Sequence, residues 1–92
     1  MIQSFKDSDT QQLFETRSNK RWAAIKTVAL RKLDQIEASI NLNDLRIPPA
    51  NRLEALRGDR KGQHSIRIND QYRICFLWRA DGAHRVEITD YH

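Results

Sequence analysis

The residues best suited to chemistry are arginines in the second half of the chain. Between Arg46 and Arg67 there are six basic and two acidic residues, a local charge of +4 that equals the excess of the whole 92-residue chain. The basic residues of this segment are Arg46, Arg52, Arg57, Arg60, Lys61 and Arg67. A guanidinium group presents paired donors that match phosphate, and it stays charged in proteins. Composition alone leaves two interpretations equally open, a phosphate-binding surface or a solvated loop with scattered ion pairs.

Strand-like segments predict that two arginines, Arg67 and Arg73, lie side by side. Three segments alternate between apolar and polar residues as strands do: Ser65–Ile68, Tyr72–Trp78 and Arg85–Thr89. A three-residue turn after the first keeps Ile66 and Ile74 in one core, and that register sets Arg67 opposite Arg73. Two arginines in direct opposition repel by up to about 1 kcal/mol unless an anion or a carboxylate lies between them. Glu87 or solvent could screen them, or a phosphate could bind there.

The same reasoning at the second turn brings a tyrosine to the pair. A three-residue turn at positions 81–83 would pair Trp78 with Val86 and Phe76 with Ile88. Continued along the strand, this register places Tyr91 opposite Arg73. A tyrosine at that place could stack on a base or transfer a proton. We therefore expect Arg67, Arg73 and Tyr91 together on the sheet face that points away from the core.

The elements that must position these residues are predicted from the spacing of apolar residues and from the positions of capping residues, proline and glycine. Ile2–Phe5 could form a first strand, and Thr10–Phe14 a short helix capped by Asp9. Spacings of three and four predict a longer helix from about Lys20 to Ile40, capped by Ser18 or Asn19, with one apolar face: Trp22, Ile25, Ala29, Leu33, Ile36 and Ile40. Asn41–Gly62, which contains Pro48-Pro49, is predicted to be an irregular connection. The fold expected is α+β, with one or two N-terminal helices packed on a mainly antiparallel sheet of three to five strands.

Length and composition exclude several classes. A chain of 92 residues fits one domain, spanning residues 1–92. Its single cysteine, Cys75, makes no internal disulfide and is no part of a zinc cluster. The longest apolar run covers residues 74–78, far short of a membrane span, and the first residues lack the layout of a secretory signal. We expect a cytoplasmic protein without a metal or other cofactor.

Four stretches of the chain form a recognisable set: Arg52–Arg60, Gly62–Asn69, Gln71–Phe76 and Glu87–His92. Together they resemble the HigB toxins of type II toxin–antitoxin systems, within the RelE/ParE superfamily. The resemblance implies a RelE/ParE-like fold and a ribosome-dependent endoribonuclease that cuts mRNA in the ribosomal A site without a metal. It also implies a helix-turn-helix antitoxin of the HigA family as partner, operator DNA bound only through that antitoxin, and no membrane.

The resemblance also implies which residues act. The family's catalytic residues match Arg57, Arg73, Asp90, Tyr91 and His92. Further RNA-binding residues are expected at Glu54, Arg60, Lys61 and Arg67. Some members carry histidine where this chain has Glu54 and lysine where it has Arg57. Because arginine stays protonated, Arg57 can stabilise charge but cannot act as a general base, and the identity of the base stays open.

Two other functions remain alternatives. One is a toxin of the ParE branch, which has the same architecture but acts by binding DNA gyrase. The other is a small basic module that binds nucleic acid without chemistry. His92 at the chain end is equally compatible with an idle terminus. His64, His84 and the apolar Trp22, Trp78 and Phe76 are predicted to be structural, and Cys75 shows no pattern that would activate a nucleophile.

Overall fold

Two helices pack on one face of a four-stranded antiparallel sheet. The computed structural model describes residues 1–90, and Tyr91 and His92 lie outside the described residues. The elements are α1 (Ser8–Thr16), α2 (Lys26–Ala38), β1 (Glu54–Ala55), β2 (His64–Arg67), β3 (Tyr72–Arg79) and β4 (Gly82–Asp90). The strands follow one another across the sheet in chain order, β1-β2-β3-β4. This confirms the predicted α+β fold.

The first helix begins earlier than the sequence pattern predicts. Its cap is Asp7 instead of Asp9, because the Asp7 carboxylate accepts a hydrogen bond from the backbone N–H of Thr10 at 2.9 Å. The helix ends at Thr16, and its C-cap Arg17 adopts a left-handed conformation with φ of 64°. Leu13 on its inner face is fully buried.

The second helix is shorter than predicted. The α-helix begins at Lys26, and residues 23–25 before it form a 3₁₀ turn. The predicted cap at Ser18 or Asn19 is wrong, because the helix follows Ile25 and its start has no side-chain cap. The side-chain oxygen of Asn19 accepts instead from the N–H of Trp22 at 3.2 Å, ahead of the 3₁₀ turn. At the other end the helix stops at Ala38, so Ile40 leaves the predicted apolar face and is 83% exposed.

The apolar core lies between the two helices and the sheet. From α2 it receives Ala29, Leu33 and Ile36, which are all fully buried. From the sheet it receives Ile66, Ile74, Phe76, Val86 and Ile88, and Leu13 and Trp22 close it from the helical side. Burial of these side chains is the main stabilising contribution to the fold. Within residues 1–90 no helix is long and apolar enough to cross a membrane.

The first residues of the chain extend the sheet beside β4. Ile2 and Phe5 form parallel bridges to Ala83 and Val86. The carbonyl of Met1 accepts from the N–H of Ala83 at 2.9 Å. The strand predicted at Ile2–Phe5 is thus present as two isolated bridges.

The connection between α2 and β2 is irregular, as predicted, and contains three 3₁₀ turns and the two-residue strand β1. Its anchor is Asn51, which is fully buried. The Asn51 side-chain oxygen accepts a hydrogen bond from Lys32, and its amide donates to Gln35 Oε1 at 2.9 Å and to the carbonyl of Leu45 at 3.2 Å. Burial lowers the pKa of Lys32.

The two hairpins differ in how well the sequence predicts them. Between β2 and β3, Ile66 pairs with Ile74 and Arg67 with Arg73, which confirms the predicted register. Between β3 and β4 the predicted register is wrong, because Arg79 pairs with Gly82 across a two-residue turn and Trp78 pairs with Ala83 instead of Val86.

A β-bulge in β4 explains the rest of this difference. The register shifts between Cys75, which pairs with Glu87, and Leu77, which pairs with His84. Two residues of β4 therefore lie opposite Phe76 alone, and the first of them, Arg85, has a positive φ of 54°. Ser4 stabilises the bulge, since its hydroxyl accepts from the N–H of Arg85 at 2.9 Å. Beyond the bulge Ile88 pairs with Ile74 instead of Phe76, two residues from the predicted partner, so it still faces the core.

Gly82 is the glycine on which the N-terminal bridge depends. A Cβ at this position would lie 2.0 Å from the carbonyl oxygen of Met1, and φ is +126°. We expect Gly82→Ala to lower the free energy of unfolding by about 3 kcal/mol or more, because steric overlap adds to backbone strain. Gly62→Ala is the matched control: φ is +95° with nothing within 4 Å, so strain alone costs about 1–2 kcal/mol. Urea unfolding of both variants checks this, and equal losses would contradict it.

Candidate active site

The site is built on the sheet face opposite the core. Ile66 and Ile74 point into the core and are fully buried. Their neighbours Arg67 and Arg73 are directly paired across β2 and β3 and point to the other face. The predicted meeting of these two arginines is confirmed. No enclosed pocket accompanies them in residues 1–90.

Arg73 is held firmly in this surface. Its Nη1 donates to the hydroxyl of Ser65 at 2.8 Å and lies 3.3 Å from Oε2 of Glu54. Glu54 reaches it because β1 pairs Glu54 with Ser65, one strand further across the sheet. The Arg73 side chain is only 12% exposed. Its guanidinium is therefore fixed in direction before any ligand arrives.

Arg67 has a different carboxylate partner. Asp70 in the turn after β2 forms an ion pair with Arg67 Nη2. Each of the opposed arginines thus has its own counter-ion, which reduces the repulsion expected from their register. The expected alternative that Glu87 would neutralise one of them is wrong, because the Glu87 carboxylate contacts Arg60 and Lys6 instead.

Arg60 is engaged within the protein. Its Nη1 lies 3.2 Å from Glu87 Oε2 and 3.2 Å from Gln63 Oε1. The hydrogen bond to Glu87 raises the pKa of Arg60. Arg60 is predicted to bind RNA, but in the structure its Nη1 already contacts Glu87 and Gln63.

Arg57 and Lys61 flank the short 3₁₀ turn that contains Arg60. Both are exposed, and no ion pair involves either of them within the described part of the chain. The turn leads into β2 through a hydrogen bond from the N–H of Leu56 to the carbonyl of Gln63 at 2.9 Å. Two cations are thus presented to solvent beside the edge of the sheet.

Asp90 ends β4 at the same end of the sheet. It pairs with Tyr72 and is exposed, and Gln71 Nε2 donates to its Oδ2 at 3.1 Å. The residue opposite Arg73 is Thr89, so the prediction of Tyr91 at that place is wrong by two residues. Tyr91 and His92, both predicted to be catalytic, lie outside the described residues.

Sequence reasoning gave no functional role in the site to three residues of this surface, namely Ser65, Glu87 and Thr89. All three share the face of Arg73, as their strand pairings show. The alternation along β2 would have placed Ser65 on the face of Arg67, but a serine carries no chemical signal of its own. Alternation along β4 also places Glu87 and Thr89 on this face, but their cross-strand partners, Cys75 and Arg73, depend on the position of the bulge, which the sequence does not give.

The residues predicted to be structural remain outside this set of charged groups. His84 lies at the far hairpin, with a ring nitrogen 2.6 Å from Asp81. His64 is half-buried, and burial, with a smaller effect of Arg46, lowers its pKa. Trp22 and Phe76 belong to the buried core, and Trp78 packs against it.

Cys75 is fully buried beneath the charged surface. Burial raises the pKa of its thiol, although Arg60 and Arg73 act in the opposite direction. A thiol with a raised pKa and no access to solvent is inert.

The fold is shared with a protein of known structure. A solved structure, that of a point mutant of YafQ from E. coli, superposes with a TM-score of 0.60 over 98% of this chain and 91% of that one, at 14% sequence identity.

The family follows from sequence. The model of the RelE-like toxins of the type II toxin–antitoxin system HigB matches residues 3–92. Toxin HigB-1 of Vibrio cholerae is 42% identical over 85 residues, which cover 90% of this chain and 88% of that protein. An uncharacterized protein of Haemophilus influenzae is 55% identical over 51 residues, 55% of this chain and 50% of that one. The chain belongs to the HigB family of type II toxins, and an antitoxin is therefore among its partners.

The burial of Cys75 has a measurable consequence. We expect a thiol reagent at pH 8 to label it in the native protein at least about 100-fold more slowly than in urea, since a structural opening of about 3 kcal/mol must come first. Labelling followed by absorbance checks this. Equal rates in the two states would show that the thiol is accessible.

Proposed function

We propose that this toxin is a ribosome-dependent endoribonuclease that cleaves mRNA in the ribosomal A site without a metal ion. The observation that carries the proposal is the fixed guanidinium of Arg73, oriented by Ser65 and Glu54 on an open, arginine-rich face. Membership of the HigB family supports the same activity.

The first task in such a reaction is to hold the scissile phosphate and stabilise its developing charge. We assign this role to Arg73 and Arg57, with Arg67 as an outer support. A donor fixed in advance needs no reorganisation when charge develops, and each such group contributes about two to three orders of magnitude in rate. Arg73, with a side chain only 12% exposed, fits that requirement.

The second task is proton transfer. The ribose 2′-oxygen attacks phosphorus while a base removes its proton, the bond from phosphorus to the 5′-oxygen breaks, and an acid protonates that oxygen, which leaves a 2′,3′-cyclic phosphate. The candidates for base and acid are Glu54, Asp90, Tyr91 and His92. Glu54 lies 3.3 Å from Arg73, and Asp90 follows Thr89, the residue that pairs with Arg73.

The remaining contacts are with the rest of the RNA. Lys61 and Arg67 are proposed to bind the mRNA backbone beside the scissile phosphate, with Glu54 at the edge of the same site. Since each cation would displace counter-ions from the RNA, binding to the programmed ribosome weakens as salt is raised. Arg60, predicted to belong to this group, is left out of it because its Nη1 contacts Glu87 at 3.2 Å.

The cellular setting proposed follows from the family. The antitoxin partner is a HigA-like helix-turn-helix protein, and operator DNA is reached only through that protein. The ribosome and mRNA are the targets, which places the toxin in the cytoplasm.

Cleavage of mRNA on programmed ribosomes tests the proposal. We expect wild-type protein to cut mRNA with a codon in the A site and Arg73→Lys to cut at least about 100-fold more slowly. An ammonium group acts as a point charge and cannot contact Ser65, Glu54 and a phosphate in the same planar arrangement. Arg79→Lys, at an exposed position on the far end of β3, is the matched control and should cut normally.

Tyr91→Phe in the same assay tests the terminal residues. A loss of about tenfold or more in rate, with unchanged binding, would place the hydroxyl in proton transfer, whereas normal cleavage would leave stacking as its role. Intact mRNA with wild-type toxin would contradict the proposal as a whole. Inhibition of gyrase would then favour the ParE-like alternative, and RNA binding without cyclic phosphate products would favour a binding module.

A further inference from the structure

One carboxylate joins three separate segments of the chain beside the candidate active site. Oε2 of Glu87 lies 3.2 Å from Nη1 of Arg60 and 3.2 Å from Nζ of Lys6. Glu87 belongs to β4, Arg60 to the turn before β2, and Lys6 to the residues that lead from the N-terminal bridges into α1. Its side chain is only 13% exposed, so this ion pair is shielded from water and salt more than a surface pair is.

The position of Glu87 relates it directly to the residues proposed for catalysis. It pairs with Cys75, and two residues further on Thr89 pairs with Arg73, so Glu87 shares the face of Arg73. Three residues beyond Glu87 is Asp90, at the end of the same strand. On the other side of the ion pair, Arg60 stands between Arg57 and Lys61, three and one residues away in the chain.

We propose that Glu87 is a positioning residue of the cleavage site, which holds the Arg57–Lys61 turn at a fixed place relative to β4 through its ion pair with Arg60. This inference rests on the proposed function. It assigns Arg60 a different role from RNA binding, namely to connect the turn to the sheet.

The geometry of the turn explains why such a connection is needed. Gly58 has a φ of +63° and nothing lies within 4 Å of a Cβ position, so no contact would restrain a side chain at the start of the turn. Within the described residues Arg57 and Lys61 have no ion pair that would fix them. The raised pKa of Arg60 shows that its interaction with Glu87 outweighs the effect of burial. A displacement of about 1 Å at a catalytic group costs on the order of 100-fold in rate.

Steady-state cleavage on programmed ribosomes separates positioning from RNA contact. We expect Glu87→Gln and Arg60→Gln each to lower kcat by about 30- to 100-fold, with KM within about twofold of wild type. The double variant should lose no more than either single variant, because the two side chains act as one unit. Glu15→Gln and Arg79→Gln, at exposed positions on α1 and β3, are the matched controls and should retain wild-type kinetics and melting temperatures.

The salt dependence of ribosome binding gives a second measurement. If Arg60 only positions the turn, Arg60→Gln leaves the slope of log affinity against log salt unchanged. A direct contact with a single-stranded phosphate would reduce that slope by about 0.7. Should Glu87→Gln melt below the assay temperature, Arg60→Gln alone decides the question, since its side chain is one-third exposed.

Three results would overturn this inference. They are wild-type kcat in Glu87→Gln, a raised KM with a reduced salt slope in Arg60→Gln, and losses that multiply in the double variant. In all three the wild type still cuts mRNA, so the proposed function stands. If wild-type protein leaves mRNA intact, the proposed function fails and this inference fails with it.

Discussion

The structure depends on the pairing of Ile66 with Ile74, which brings two guanidinium groups together. A slip of one residue in this hairpin would turn every core side chain of one strand toward solvent, so burial of the two isoleucines fixes the register. Arg67 and Arg73 are one position further along and must then lie opposite each other. The hydrophobic core thereby sets two positive charges next to each other on the other face. The ion pairs with Glu54 and Asp70 reduce the repulsion between these charges in the free protein.

This arrangement also explains why the face suits an anionic ligand. The two carboxylates approach the arginines from β1 and from the turn after β2, so each cation is held by a group at the rim of the surface. Coulombic attraction between exposed groups is weak in water. A phosphate between the two guanidinium groups would meet donors that are already oriented. Folding has already brought the two like charges together, so binding would not have to supply that free energy.

How much of this could be predicted from sequence depends on whether local pattern or long-range packing decides. Alternation alone predicts the observed register of Arg67 and Arg73, because only one register near this turn keeps the apolar residues of both strands on the same face. The predicted start of α2 is about six residues too early, since the apolar Trp22 and Ile25 fit a helical spacing, but Ile25 belongs to a 3₁₀ turn and Trp22 precedes that turn. Composition cannot separate these two forms of helix.

The second hairpin shows the limit more clearly. The bulge at Arg85 depends on a hydroxyl contributed by Ser4, 81 positions away, and no local pattern contains that information. The predicted register is off by two residues, which leaves every side chain on the predicted face, so Ile88 still faces the core. The residue opposite Arg73 is Thr89, whereas the prediction placed Tyr91 there. The partner of Glu87 was missed for the same reason, because Arg60 is 27 residues away. The roles of Tyr91 and His92 rest on the family resemblance and stay predictions.

The residues that run beside β4 have a consequence for how copies of this toxin behave at high concentration. Exposed strand edges recruit other strands and lead to aggregation. Here one rim of the sheet is occupied by hydrogen bonds from Met1 to Lys6, and the other rim is β1, which has only two residues. In residues 1–90 neither rim offers a long template for intermolecular pairing. A protein with a charged, open face can in this way stay available for its target without polymerising through its backbone.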